Sequence, residues 1–283
     1  MNKMNKTQVK AIQNLPTDWW KSSETCISFE NILKGFILGL MLSGEFAGKK
    51  QSYLYSGFLF KYCNSIIWFT AGHVINNINK VISATPIDDY FGRWIDWENI
   101  QGAESIPVNF KAFNAFSGWD FGFDLGMYIL STLESENIVK NTHSLCFKME
   151  HVIDLETFQP EGFYLVGFPE KLQEETKVGT TTFITSPLIC VPIEKIPFSK
   201  DLQFTNPDPN AFYGKIVDFP DSPETKYEIP GMSGGPIIGI KRDKTKGMDF
   251  RLYAIQSSCL PESRIIQAEP MIIPIKWLQE NNN

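Results

Sequence analysis

The 283-residue chain reads as all-β, and three observations predict it. Apolar runs of strand length recur from about 28 to 135 and again from Phe163 to about Ser258, each closed by turn residues. The segments between them carry loop chemistry, as in Asn206-Pro207-Asp208-Pro209-Asn210 and Pro220-Asp221-Ser222-Pro223. With 43% hydrophobic and 20% charged residues, the chain is globular and too long for one ordinary core, so two strand-rich units are expected.

In chain order, residues 1–27 form a polar extension, and Pro16-Thr17-Asp18-Trp19-Trp20 suggests that it docks through its tryptophans. The apolar run Ile32 to Leu42 is interrupted by Lys34, Gly35 and Gly39. It falls short of the ~20 residues that span a bilayer and reads as a buried strand or short helix on the first unit. Ile66-Ile67-Trp68-Phe69-Thr70-Ala71-Gly72-His73 is an apolar strand ending in a small-residue turn that presents a histidine. Thr85 to Gly122 is a long insertion rich in aromatics, among them Phe91, Trp94, Trp97, Phe110, Phe113 and Trp119. Two readings of it stay open: a piece with its own small core, or a docking surface. Asp124 opens the apolar strand Leu125 to Leu130, and Ser131 to Glu161 crosses to the second unit with a helical piece at Leu133 to Lys140. The run Lys241 to Lys246 reads as a solvated hairpin tip, and Pro274 to Glu280 as a closing helix. The domains expected are therefore 1–27, 28–140 and 141–283.

Charge and cysteine usage narrow the function classes. A net charge of −6, with no basic stripe beyond that hairpin tip, argues against a nucleic-acid partner. The five cysteines (26, 63, 146, 190 and 259) are odd in number and lack paired spacing, which favours a reducing compartment. His143, Cys146 and His151 have no second ligand pair of comparable spacing, so no metal and no cofactor is expected. The basic start Met1 to Lys6 is not followed by an apolar signal core. Cytoplasmic residence without membrane association is the expectation.

One stretch carries chemistry on its face. Gly231-Met232-Ser233-Gly234-Gly235-Pro236 frames a serine with glycines, as a nucleophile beside oxyanion-binding N–H groups requires, although a plain Gly-rich turn has the same composition. His73 and Asp124 supply a base and a carboxylate, in the order His, Asp, Ser. The Gly-x-Ser-x-Gly elbow of α/β-hydrolases places its histidine after the serine, and the histidines here stand only at 73, 143 and 151. An aspartate-first order has only Asp18 to offer, in a polar tail.

On these residues the chain resembles the chymotrypsin/trypsin-like serine peptidases, particularly their disulfide-free bacterial branch with its HtrA-like enzymes. Thr70-Ala71-Gly72-His73-Val74 is similar to the family's histidine block, Asp124 to Leu130 to its aspartate block, and Gly231 to Pro236 to its serine block. Ser56-Gly57-Phe58 and Val166-Gly167-Phe168-Pro169 are weaker echoes; the likeness runs from about residue 50 to 260. The resemblance implies two six-stranded antiparallel β-barrels, the first with the insertion 85–122, and a C-terminal helix. It implies that Ser233 attacks the scissile carbonyl, His73 moves the proton, Asp124 orients the imidazole, and the Gly231 and Ser233 N–H groups bind the oxyanion. Asp120 competes with Asp124, which is preferred because a strand follows it directly. Tyr227, six residues before Ser233, falls where the specificity residue would lie, and Gln256 and Ser257 lie on the strand expected to pair with an extended peptide.

Departures from the family pattern matter too. Val74 stands where secreted relatives carry a half-cystine, and Met232 replaces the aspartate that pairs with a freed N-terminus. The expected partner is a protein or peptide substrate. The rival readings are a catalytically silent two-barrel binding module, and a latent protease awaiting a regulatory partner in a defence or regulatory assembly.

Overall fold

The computed structural model describes residues 17–46, 49–96, 106–113, 115–118, 122–142, 144–178, 181–219, 229–243, 245 and 247–281. Helix α1 (Ser23–Leu33) opens it, followed by strands β1 (Gly39–Phe46), β2 (Lys49–Tyr55), β3 (Phe58–Tyr62) and β4 (Ser65–Thr70). Helix α2 (Gly72–Ala84) leads to β5 (Tyr90–Ile95), β6 (Ile106–Pro107), β7 (Ala115–Ser117) and β8 (Gly126–Ile129). Helix α3 (Thr132–Asn141) precedes β9 (Gly162–Gly167), β10 (Glu174–Val178), β11 (Thr181–Thr185), β12 (Ile189–Lys195) and β13 (Phe212–Ile216). The hairpin β14 (Pro236–Asp243) and β15 (Gly247–Leu260), then β16 (Ile265–Pro270) and helix α4 (Ile272–Asn281), complete the chain.

Strands β12-β13-β16-β15-β14-β9 close into an antiparallel barrel. Inward residues Leu165, Val191, Phe212, Ile237, Ala254 and Ile266 fill it. Their neighbours on the opposite face, including Tyr164, Val166, Ile238 and Leu252, are buried as well. That is why these strands read as nearly continuous apolar runs. The outer cover includes α1. Ser22 caps this helix by accepting the Thr25 N–H, and Phe29 packs on Tyr164 at 5.1 Å between ring centroids. The Cys26 thiol donates to the Cys190 carbonyl and the Tyr164 hydroxyl to the Trp20 carbonyl, while Trp19 Nε1 donates to Glu161 at 2.8 Å. The tryptophans expected to dock are thus buried on the barrel. The run Ile32 to Leu42 divides into the end of α1 and the start of β1.

The first strand-rich unit is built differently from the expected second barrel. It consists of two four-stranded sheets, β2-β1-β5-β6 and β3-β4-β8-β7. An Ile37–Phe58 bridge and the Leu38 N–H to Gly57 carbonyl bond of 3.0 Å join them at one corner. Among the described residues the ladder does not close: its edges β6 and β7 are only 2 and 3 residues long. Between the sheets lie Trp68, Trp94, Tyr128, Ile75 and Ile78, with Trp68 edge-on to Trp94 at 5.2 Å. The segment 85–122 is therefore not a separate insertion in its described parts. It supplies β5, β6 and β7, and Trp94 and Phe110 join the shared core. The two units also share a core in which Phe58, Phe60 and Phe69 meet Phe147, Val166 and Ile238. Among the described residues no helix is long and apolar enough to cross a membrane.

Candidate active site

His73 is positioned by a strand-to-helix junction. β4 ends at Thr70, Ala71 stays extended (φ −77°, ψ 151°), and α2 begins at Gly72, so His73 sits in the first helical turn. Alanine has no side-chain acceptor for the free N–H groups there, and Asp124 supplies one from a distant part of the chain. Its Oδ1 accepts the His73 backbone N–H at 2.7 Å, and its Oδ2 meets His73 Nδ1 at 2.7 Å. The positive end of the helix dipole favours the carboxylate at this place. Because a carboxylate only accepts, Nδ1 must carry the hydrogen, which leaves Nε2 as the basic nitrogen. Asp124 is 7% exposed and the His73 side chain 35% exposed, so the ring bridges a buried anion and the surface.

The serine loop is pinned to the same junction. Gly234 has φ +92°, and a Cβ there would lie 2.2 Å from Thr70 Oγ1 and 2.9 Å from the Ala71 nitrogen. Only glycine admits that contact, which brings the residue next to Ser233 against the backbone leading into His73. Gly231 has φ +91° and presses on the Glu170 nitrogen in the same way. The Gly234 N–H donates to the Gln256 carbonyl (2.8 Å), the Gly235 N–H to the Met232 carbonyl (2.9 Å), and the Ser56 hydroxyl to the Gly231 carbonyl (2.9 Å). Ser56 also accepts the Phe168 N–H at 2.9 Å and is fully buried, so one hydroxyl ties the loop to the chain on both sides of it. Among the described residues, neither the Gly231 nor the Ser233 N–H is spent on a backbone acceptor. Ser233 itself is half-buried and makes no hydrogen bond to the His73 ring among those residues.

The remaining residues singled out from sequence fare differently. Gln256 is fully buried behind the serine loop, its amide atoms unpartnered among the described residues and its backbone bonded to Gly234 and Gly235. Ser257 lies at a register shift in β15 and points its hydroxyl inward to the Gln267 carbonyl at 3.1 Å. Ser258 is the residue of this strand that reaches the open pocket. Tyr227, the competing acid Asp120, and His143 lie outside the described residues.

That pocket, about 190 Å³, opens beside His73 and Asp124 and is also lined by Asn206, Ser258, Gln267 and Glu269. Glu269 is 1% exposed. Burial pushes its carboxyl up to about 7; Asp208 and Asp124 add to the rise, and the Asp124 backbone N–H and the Gln267 side chain oppose it. Sequence reasoning missed this residue. In Ile266-Gln267-Ala268-Glu269, polar and apolar positions alternate as on a strand with one wet face. The polar face is in fact covered.

No family model and no curated protein matches the chain. Among solved structures it is similar to the protease Anisep from Arthrobacter nicotinovorans, at 14% identity over 88% of this chain and 96% of that one, with a TM-score of 0.47. It is similar to the active form of the Rv3671c protease from M. tuberculosis, at 12% identity over 89% and 83%, TM-score 0.43. It is also similar to the catalytically active tobacco etch virus protease with product, at 14% identity over 87% and 79%, TM-score 0.43. With scores below 0.5, these likenesses stand as likenesses, and the case for function rests on this chain's own residues.

Proposed function

We propose that this chain is a serine endopeptidase that cleaves peptide bonds through an acyl-enzyme, with Ser233 as nucleophile, His73 as general base and acid, and Asp124 as the orienting carboxylate. The observation that carries the reading is the two-point clamp of Asp124 on His73, at 2.7 Å to the backbone nitrogen and 2.7 Å to Nδ1. A carboxylate that merely capped a helix would need only the first bond. The second sets the tautomer that leaves Nε2 free to accept a proton from a hydroxyl. Gly234, packed on the Thr70–Ala71 backbone, supports placing Ser233 near that nitrogen. Among the described residues the N–H groups of Gly231 and Ser233 have no backbone acceptor, which suits them to an oxyanion, where one donor is worth ~10²–10³ in turnover. In this reading residues 28–140 contribute the histidine and aspartate, residues 141–283 contribute the serine, and the substrate is a protein or peptide lying between them.

Reaction of the full chain with a fluorophosphonate tests it. Covalent mass gain on Ser233, absent in His73→Ala, is the expected result. Well-folded protein that takes up no label sinks the peptidase reading and leaves the silent binding module. The missing hydrogen bond between Ser233 and His73 favours a second reading, a latent peptidase whose loop closes on a regulatory partner. Labelling that a candidate partner accelerates would single it out.

A further inference from the structure

The pocket beside His73 holds a buried carboxyl that the proposed chemistry does not use. Glu269 is 1% exposed, lines the pocket, and its Oε2 has no hydrogen-bond partner among the described residues. The other acid in the lining, Asp124, is committed to His73. Gln267 donates one amide hydrogen to the Asn206 carbonyl at 3.0 Å and accepts the Tyr213 hydroxyl at 3.3 Å; its side chain and the Asp124 backbone N–H also bond the Glu269 carboxyl, which leaves Oε2 as the oxygen without a partner. Asp208 and the Tyr213 hydroxyl face the same carboxyl electrostatically. Among the described lining residues there is no lysine or arginine. The pocket therefore offers a buried acceptor and a surplus of negative charge, with His73 as its one group able to turn positive.

A buried acceptor left unpaired is costly, and a carboxyl so placed is matched by a donor that brings its own positive charge. An anionic side chain would be repelled, and an apolar one would leave Oε2 unsatisfied. A pocket of about 190 Å³ admits an alkylammonium or guanidinium head with part of its stem. Its position beside His73 and Ser258 puts any occupant within about one residue's reach of the bond to be cleaved.

We propose that this pocket is a subsite for a lysine or arginine side chain of the peptide substrate, with Glu269 as its counter-ion. The inference deepens the peptidase reading by naming a substrate class, but its test does not need a reactive serine.

The probe is Nα-acetyl-lysine N-methylamide, with the isosteric norleucine derivative as control, titrated into the full chain while the ring protons of His73 are followed by NMR. The spectrum is simple because the chain has three histidines, and His73→Ala assigns the signal. The lysine derivative should shift the His73 signal saturably and bind about tenfold or more tightly than norleucine. Binding should strengthen about tenfold per pH unit below pH 7 and level off above it, because the cation needs Glu269 ionised. Glu269→Gln should reduce the lysine preference to about twofold or less. Asn206 is exposed, so Asn206→Asp adds a charge at the mouth without disturbing the core and should strengthen lysine binding several-fold while leaving norleucine unchanged. Equal binding of the two derivatives, no saturable shift, or a lysine preference that survives Glu269→Gln would each overturn the subsite; so would an Asn206→Asp chain with unaltered affinity. A chain that binds lysine yet resists fluorophosphonate would keep the subsite and lose the peptidase.

Discussion

Asp124 does two jobs with two oxygens, and substitutions separate them. Asp124→Asn keeps an acceptor for the His73 backbone N–H but no longer enforces Nδ1–H, so fluorophosphonate labelling should slow by about 10⁴ with little change in stability. Asp124→Ala removes the helix cap as well, and urea unfolding should show a further loss of about 1–2 kcal/mol. Glu269 sets a different pH dependence. The folded chain holds its proton up to about pH 7, whereas an exposed carboxyl releases it near 4.5. The folded state therefore binds that proton more tightly, and its contribution to stability falls as pH rises from about 4.5 to about 7, by about 3 kcal/mol. Glu269→Gln removes this slope, so the urea midpoints of variant and parent should coincide near pH 4.5, with the variant more stable at pH 8. Equal midpoints at both pH values would count against a buried, neutral carboxyl.

At the scale of elements, the site depends on how β4 runs into α2 and how the loop before β14 lies across that junction. Ser56 is the fastener: its hydroxyl donates to the Gly231 carbonyl and accepts the Phe168 N–H inside the protein. Ser56→Ala would leave both groups buried and unpaired, and should cost about 1–3 kcal/mol in chemical denaturation. It should also slow labelling, since the loop bearing Ser233 is no longer tied. Gly234→Ala is harsher, with φ +92° and a Cβ 2.2 Å from Thr70 Oγ1, and should abolish labelling even where the chain still folds. Ser56 was visible in the sequence only as a weak echo before a strand. The start of α2 was not visible at all, because Thr70-Ala71-Gly72 after the apolar strand reads as a turn and carries no side-chain cap to announce a helix.

Across the whole molecule, one barrel is closed and buried on both faces, and α1 supplies part of its cover. Phe29 on that helix is fully buried against Tyr164, so Phe29→Ala should cost about 3–5 kcal/mol in thermal or urea unfolding, more than a dangling extension could. The polar start and its paired tryptophans hinted at docking, but not at which surface. The aromatic-rich stretch 85–122 shows the opposite limit. Its length suggested an addition to the fold, whereas Trp94 closes the core between two sheets and β5 pairs with β1. Residues that complete a sheet far away in sequence carry no local mark of doing so.

By itself the sequence determined the chemical inventory and most of the strands: the order of imidazole, carboxylate and hydroxyl, the glycines around Ser233, and the apolar runs closed by turn residues that make the chain mostly β. Those features are set by residue type and short-range spacing. Only the tertiary structure decided that Asp124 grips His73 at two points, that Gly234 rests on the backbone leading into that histidine, and that Glu269 is shut into the pocket beside it. Each of these depends on segments at least 51 residues apart meeting in space, and the free energy that holds them comes from burial and hydrogen bonds that form only once the two units have packed.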